Sequence, residues 1–82
     1  PSARNNLGIA WLHHGDAEGA RTLFREAVRE DPSLPGPHYN LAIVEHFYFL
    51  DDEAATRHFA RYRELATDDP DGLEAVLEHK ED

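Results

Sequence analysis

Leu7-Gly8-Ile9-Ala10-Trp11, then Gly15-Asp16, then Ala20-x-x-x-Phe24-x-x-Ala27, then Asp31-Pro32, reads as one helical hairpin. The same order returns downstream as Tyr39-Asn40-Leu41-Ala42-Ile43-Val44, Asp51-Asp52 and Ala55-x-x-x-Phe59-x-x-Tyr62. Leu7-Gly8 and Leu41-Ala42 lie 34 positions apart, and Ala20/Phe24 and Ala55/Phe59 lie 35 apart. A period of that length, with small residues where helices would touch, marks helical repeats that stack on their neighbours.

Working outward, helical periodicity predicts a first helix over residues 3–14, with Leu7, Ala10, Trp11 and His14 on one face. Gly15 suits a left-handed C-terminal cap, and Asp16 suits the N-cap of a second helix over 17–30. Ala20, Leu23, Phe24, Ala27 and Val28 form the apolar stripe of that second helix. Asp31-Pro32-Ser33-Leu34-Pro35-Gly36-Pro37 breaks the helix, because Pro lacks the amide hydrogen that a continued helix needs. A third helix is expected from about Pro37 to Leu50. It is apolar almost all round, which predicts a central, buried element. A fourth helix is expected over 53–66, with Ala55, Phe59, Tyr62 and Leu65 inward. Asp68-Asp69-Pro70 ends it. Asp71-Gly72-Leu73-Glu74 then predicts an N-cap at Asp71 for a short fifth helix. Leu73, Val76 and Leu77 stripe one side of that helix; Glu74, Glu78 and His79 stripe the other.

On these motifs the chain resembles the tetratricopeptide repeat family. Leu7, Gly8, Ala20, Phe24 and Pro32 stand in signature positions of the first repeat, and Trp11 stands for the family's Tyr. The second repeat departs more. Ala42 replaces Gly, Glu45 stands where Tyr is expected, and one residue is inserted before the turn. A longer turn or a bulge is expected to absorb it. The aromatic run Phe47-Tyr48-Phe49 is expected to fill the core. The resemblance implies an all-α fold: a right-handed superhelical stack of two antiparallel helix-turn-helix hairpins with a fifth, capping helix. Repeat one would span about 3–34, repeat two about 37–67 and the cap about 70–80. The whole would be one domain over 1–82, cut from a longer protein.

The resemblance also implies a function: holding a peptide or helix of a partner protein in a concave groove. The first helix of each hairpin would line it, through Asn5, Ile9, Leu12 and His13 and through Tyr39, Asn40, Ile43, His46 and Phe47. Asn40 stands where peptide-binding relatives hold a ligand backbone, a task that suits an amide able to donate and accept at once. The opposite faces, with Leu7, Ala10 and Trp11, would be claimed by packing. The groove lacks the Lys or Arg of relatives that clamp a terminal carboxylate. The alternative is a self-association or spacer module within a longer array, weakly homodimeric through Trp11 or Phe47–Phe49.

Composition narrows the partner. Seventeen acids oppose eight Lys plus Arg, a formal charge of −9. That disfavours nucleic acid and anionic membranes, both of which are bound mainly through basic side chains. A neutral or basic protein or peptide is expected instead. Seven of the eight bases are Arg, and so acidic a balance fits either a salt-rich source or a surface kept soluble by charge. There is no Cys, consistent with a reducing compartment, and no targeting signal, so a cytoplasmic location is expected. The six His lack the i, i+4 pairing of a helical metal site, and the acid clusters lack the alternating ligands of a calcium loop. Carboxylates are expected at helix ends and exposed faces. No nucleophile lies beside a base, so neither metal, cofactor nor enzymatic chemistry is expected.

Overall fold

The computed structural model describes residues 2–78. Among the described residues five helices follow in order: α1 (Ser2–His13), α2 (Ala17–Glu30), α3 (Pro35–Phe47), α4 (Asp52–Leu65) and α5 (Leu73–Glu78). No strand occurs among the described residues. α1 pairs with α2 and α3 with α4 as two hairpins, α2 lies against α3, and α5 rests on α4. The expected extension of the fifth helix to residue 80, with His79, lies outside the described residues.

Local chemistry sets the boundaries. The Asp16 carboxylate accepts from the Gly19 N–H at 2.8 Å, and that of Asp51 accepts from Ala54 N–H at 3.1 Å. Each satisfies a donor that the first helical turn leaves unpaired. α3 has no side-chain cap and starts instead with Pro35, whose missing N–H is no loss in a first turn. The fifth helix corrects an expectation. Its cap is Asp69, not Asp71: Oδ1 accepts from Leu73 N–H at 2.7 Å and Oδ2 from Glu74 N–H at 2.9 Å.

The two hairpin turns show how the inserted residue is absorbed. In the first, Gly15 takes φ +87° and the Asp16 N–H returns to the Trp11 carbonyl at 2.9 Å. In the second, Leu50 takes the left-handed position at φ +55°. The turn widens there: Phe49 N–H reaches the Val44 carbonyl and Asp51 N–H the Glu45 carbonyl, five and six residues back. After α4 an irregular loop runs from Ala66 to Gly72, with Pro70 inside it.

Two apolar clusters form the core, and α3 contributes to both. One joins Ala20 and Phe24 of α2 to Leu41 and Val44, with Ile9, Leu12, Val28 and Phe49 against it. The other joins Tyr39 and Ala42 to Ala55, Phe59 and Tyr62 of α4 and to Leu73 and Leu77 of α5; Val76 packs against it. Burying one such side chain stabilises by roughly 1.5–3 kcal/mol. Gly8, Ala20, Ala42 and Ala55 are all buried, as the repeat predicts. A Cβ on Gly8 would lie 2.6 Å from the Phe24 ring, so only Gly permits this approach.

Three expectations fail. Leu7, Ala10 and Trp11 are not claimed by packing: all are exposed, Leu7 by 49% and Trp11 by 43%. α2 covers the Gly8 side of α1 and leaves theirs bare. Phe47 and Tyr48 are more than half exposed; only Phe49 turns inward, its ring 4.1 Å from the Arg21 guanidinium carbon. Finally, one carboxylate is not at an exposed face or helix end, since Glu45 is fully buried.

Candidate binding site

Asn5 on α1 and Asn40 on α3 meet across the two hairpins. The Asn40 amide donates to the Asn5 carbonyl oxygen at 2.9 Å. Gly36 makes room for this: a Cβ there would sit 3.2 Å from the Asn5 amide nitrogen. One bond uses a fraction of what two amides offer. Among the described residues the Asn5 N–H pair and the Asn40 carbonyl oxygen enter no other hydrogen bond, which leaves one amide a donor and the other an acceptor.

Beside Asn40 opens a cleft of about 280 Å³, lined by Pro35, Gly36, Tyr39, Tyr62, Ala66, Asp68 and Pro70. Its two phenols are tied to the acidic loop after α4. Tyr39 donates to Asp69 at 2.6 Å and accepts from the Asp71 N–H at 2.9 Å; Tyr62 donates to Asp68 at 2.7 Å. Burial, and then the carboxylate each phenol faces, holds both protonated: Tyr39 is raised far above its usual range and Tyr62 to about 12. Burial works to raise Asp69, but the bonds from Tyr39, Glu74 N–H and Leu73 N–H prevail and lower it. The cleft therefore pairs an aromatic and proline wall with a fixed negative rim.

The remaining residues of the expected groove are spread along the same helices. Tyr39 is mostly core, its ring 4.7 Å from that of Tyr62, and shows only an edge to the cleft. Ile9 and Leu12 are half-buried against the first cluster, and Ile43 against the second. His46 is half-buried; its Nδ1–H donates to Asp52 at 2.6 Å, and its ring stands edge-on to Phe47 at 4.6 Å. His13 and Phe47 are exposed at the ends of their helices. The structure thus brings Asn5, Asn40 and Tyr39 together at one end and pairs His46 with Phe47 at the other.

One polar group escaped the sequence reading. Glu45, in the interior, accepts from Arg21 Nε at 3.1 Å and from Arg25 Nη2 at 3.3 Å, both through Oε2. Its Oε1 is buried without a partner. Burial lowers the nearby His58, which feels the opposing charge of Glu45. His38, also buried, donates from Nε2 to the Pro32 carbonyl at 2.9 Å, leaving Nδ1 unpaired. The available signal was Arg21 and Arg25, four apart on one face of α2, opposite an acid in an aromatic position. Among the described residues no group of three His, Cys, Asp or Glu is placed to hold a metal ion. No described helix is long and apolar enough to cross a membrane. Compared with models of known protein families, with curated proteins and with solved structures, the chain matches none.

Proposed function

We propose that this domain is a protein-interaction module of the tetratricopeptide repeat kind, a right-handed stack of two hairpins, binding a peptide segment along the inner face of α1 and α3. The observation that carries this reading is the Asn5–Asn40 bond, which sets a free donor and a free acceptor beside an aromatic cleft. An extended peptide backbone presents the same alternation of N–H and C=O, so it is the natural complement. Tyr39, Tyr62, Pro35 and Pro70 offer apolar contact, and Asp68 favours a ligand that is neutral or basic. The chain's net charge of −9 adds long-range attraction for basic ligands, so association should slow as salt rises.

Peptide-library screening with NMR shift mapping tests this. Binders should perturb Asn5, Gly36, Asn40 and Tyr39, and Asn40→Ala should weaken them. Shifts confined to the outer helices α2 and α4 would defeat the assignment. A second reading, self-association, is favoured by exposed Phe47, Tyr48 and Leu50 at the α3–α4 turn, since apolar patches of this sort mark contact surfaces. It predicts mass rising with concentration in sedimentation and falling again in Phe47→Ala.

A further inference from the structure

The acids after α4 are not equivalent. Asp69 is spent inside the fold: Oδ1 accepts from the Tyr39 hydroxyl and the Leu73 N–H, Oδ2 from the Glu74 N–H. Asp68 stands exposed at the cleft. Its Oδ1 accepts from the Tyr62 hydroxyl at 2.7 Å, and among the described residues its Oδ2 accepts nothing. The same bonds turn both phenol hydroxyls toward the loop, where Tyr39 Oη also accepts from the Asp71 N–H. What the cleft offers is therefore mostly carbon, from Pro35, Tyr62, Ala66 and Pro70, with one anchored carboxylate at its rim. Among the described residues no Lys or Arg lines it. The neighbouring bases of α4 are committed elsewhere, Arg61 to Glu64 at 2.7 Å and Arg63 to Glu74 at 3.0 Å.

We infer that this cleft takes the side chain of a lysine or arginine in the bound peptide, its alkyl stem against the prolines and Tyr62 and its cation on Asp68 Oδ2. Three properties select that occupant. A long basic side chain buries an apolar stem while its head stays in water, and this apolar wall ends in an exposed acid. A volume of about 280 Å³ suits one side chain and falls short of a drug-sized molecule. The carboxylate is already held by Tyr62, so ordering it on binding costs little. An acidic side chain would instead meet Asp68 with Asp69 and Asp71 behind it, a like-charge contact that excludes it. The inference deepens the peptide-binding reading and rests on it: Asn40, on the same wall, would hold the backbone that carries the side chain.

The probes are blocked heptapeptides, identical except for a central lysine, arginine, norleucine or glutamate. Each is titrated into the whole chain at low salt and followed by amide NMR shifts. Lysine and arginine should move Gly36, Ala66 and Asp68 and bind about five-fold more tightly than norleucine, the upper reach of an exposed ion pair. Glutamate should not bind. Asp68→Asn keeps an acceptor for Tyr62 and should remove the preference for the cation. Glu53→Gln, at the far end of α4, takes away the same unit of charge and should leave that preference intact. Equal binding of lysine and norleucine at these amides overturns the inference and leaves the peptide groove standing. A lysine preference that survives Asp68→Asn, or shifts gathered at Asp51–Glu53, also overturns it, because net charge then accounts for the attraction. Nα-acetyl-lysine methylamide that shifts Asp68 as strongly as the peptide, with the Asn5 and Asn40 side-chain amides silent in both, supports the basic subsite and removes the groove.

Discussion

Gly8→Ala tests the packing of the first hairpin most directly. The added Cβ would meet Phe24 Cε1 at 2.6 Å, Cδ1 at 2.9 Å and Cζ at 3.1 Å. The ring has no exposed surface and shares its cluster with Leu41 and Val44, so it has nowhere to swing. Overpacking of this kind costs about 1–3 kcal/mol. Against it stands the better helix propensity of Ala over Gly, about 1 kcal/mol. The net expectation is a loss of up to about 2 kcal/mol, from the difference of those two effects. For a domain this small that lowers the melting temperature by up to about 15 °C. Thermal unfolding followed by circular dichroism reads it. The second hairpin supplies a control of opposite chemistry. It already carries Ala42 at the equivalent buried position, so Ala42→Gly should also destabilise, there by lost helix propensity. Adding Phe24→Leu to Gly8→Ala should cost less than the sum of the two single changes, because the shorter side chain relieves the clash. A Gly8→Ala protein that melts above the wild type would refute the close approach of α1 and α2.

Other consequences follow from the turns, the buried charge and the phenols. Leu50 sits at φ +55° with 82% of its surface exposed, so Leu50→Gly removes strain without losing burial; urea titration should show a gain of up to about 1 kcal/mol. Arg21→Ala leaves Glu45 buried with Arg25 alone and should cost about 3 kcal/mol, whereas Glu45→Leu should be close to neutral; equal losses in the two proteins would contradict the buried pair. Folding raises the Tyr39 and Tyr62 pKa above the unfolded value of 10.0, so the native state holds protons that the unfolded chain releases. Their contribution is complete below pH 10 and is lost as the pH climbs beyond it, which urea midpoints measured from pH 9 to 12 should show. Asp69→Ala removes the cap of α5 and should cost about 1–2 kcal/mol. Because folding lowers the Asp69 pKa below 3.8, the wild type should lose that same contribution as pH falls through the folded value, and the Asp69→Ala protein should not.

How much was legible in the chain depends on the range of the interaction. Some helix boundaries came from neighbours in sequence: Asp16 as a cap, Gly15 as the left-handed stop and Pro32 as the break after α2; the bounds of α3 did not, since the helix runs from Pro35 to Phe47 and not from Pro37 to Leu50. Spacing alone also marked Gly8, Ala20, Ala42 and Ala55 as contact points, because only small residues let two helices meet. Asn5 and Asn40 were named as candidate groove residues only through the resemblance to a repeat family, and their bond to each other was not readable. The rest was decided by segments far apart in the chain. Trp11 belongs to an apolar face by every local rule, yet a face is buried only if something lies over it, and periodicity does not record that. Asp69 outcompeted Asp71 as a cap because Tyr39, thirty residues earlier, holds its carboxylate in place. Glu45 reads as a surface acid until α2, across the hairpin boundary, delivers Arg21 and Arg25 to it. Local hydrogen bonding and excluded volume write themselves into a sequence; burial and charge pairing become definite only when distant helices pack, since only then is water removed from one side chain and left on another.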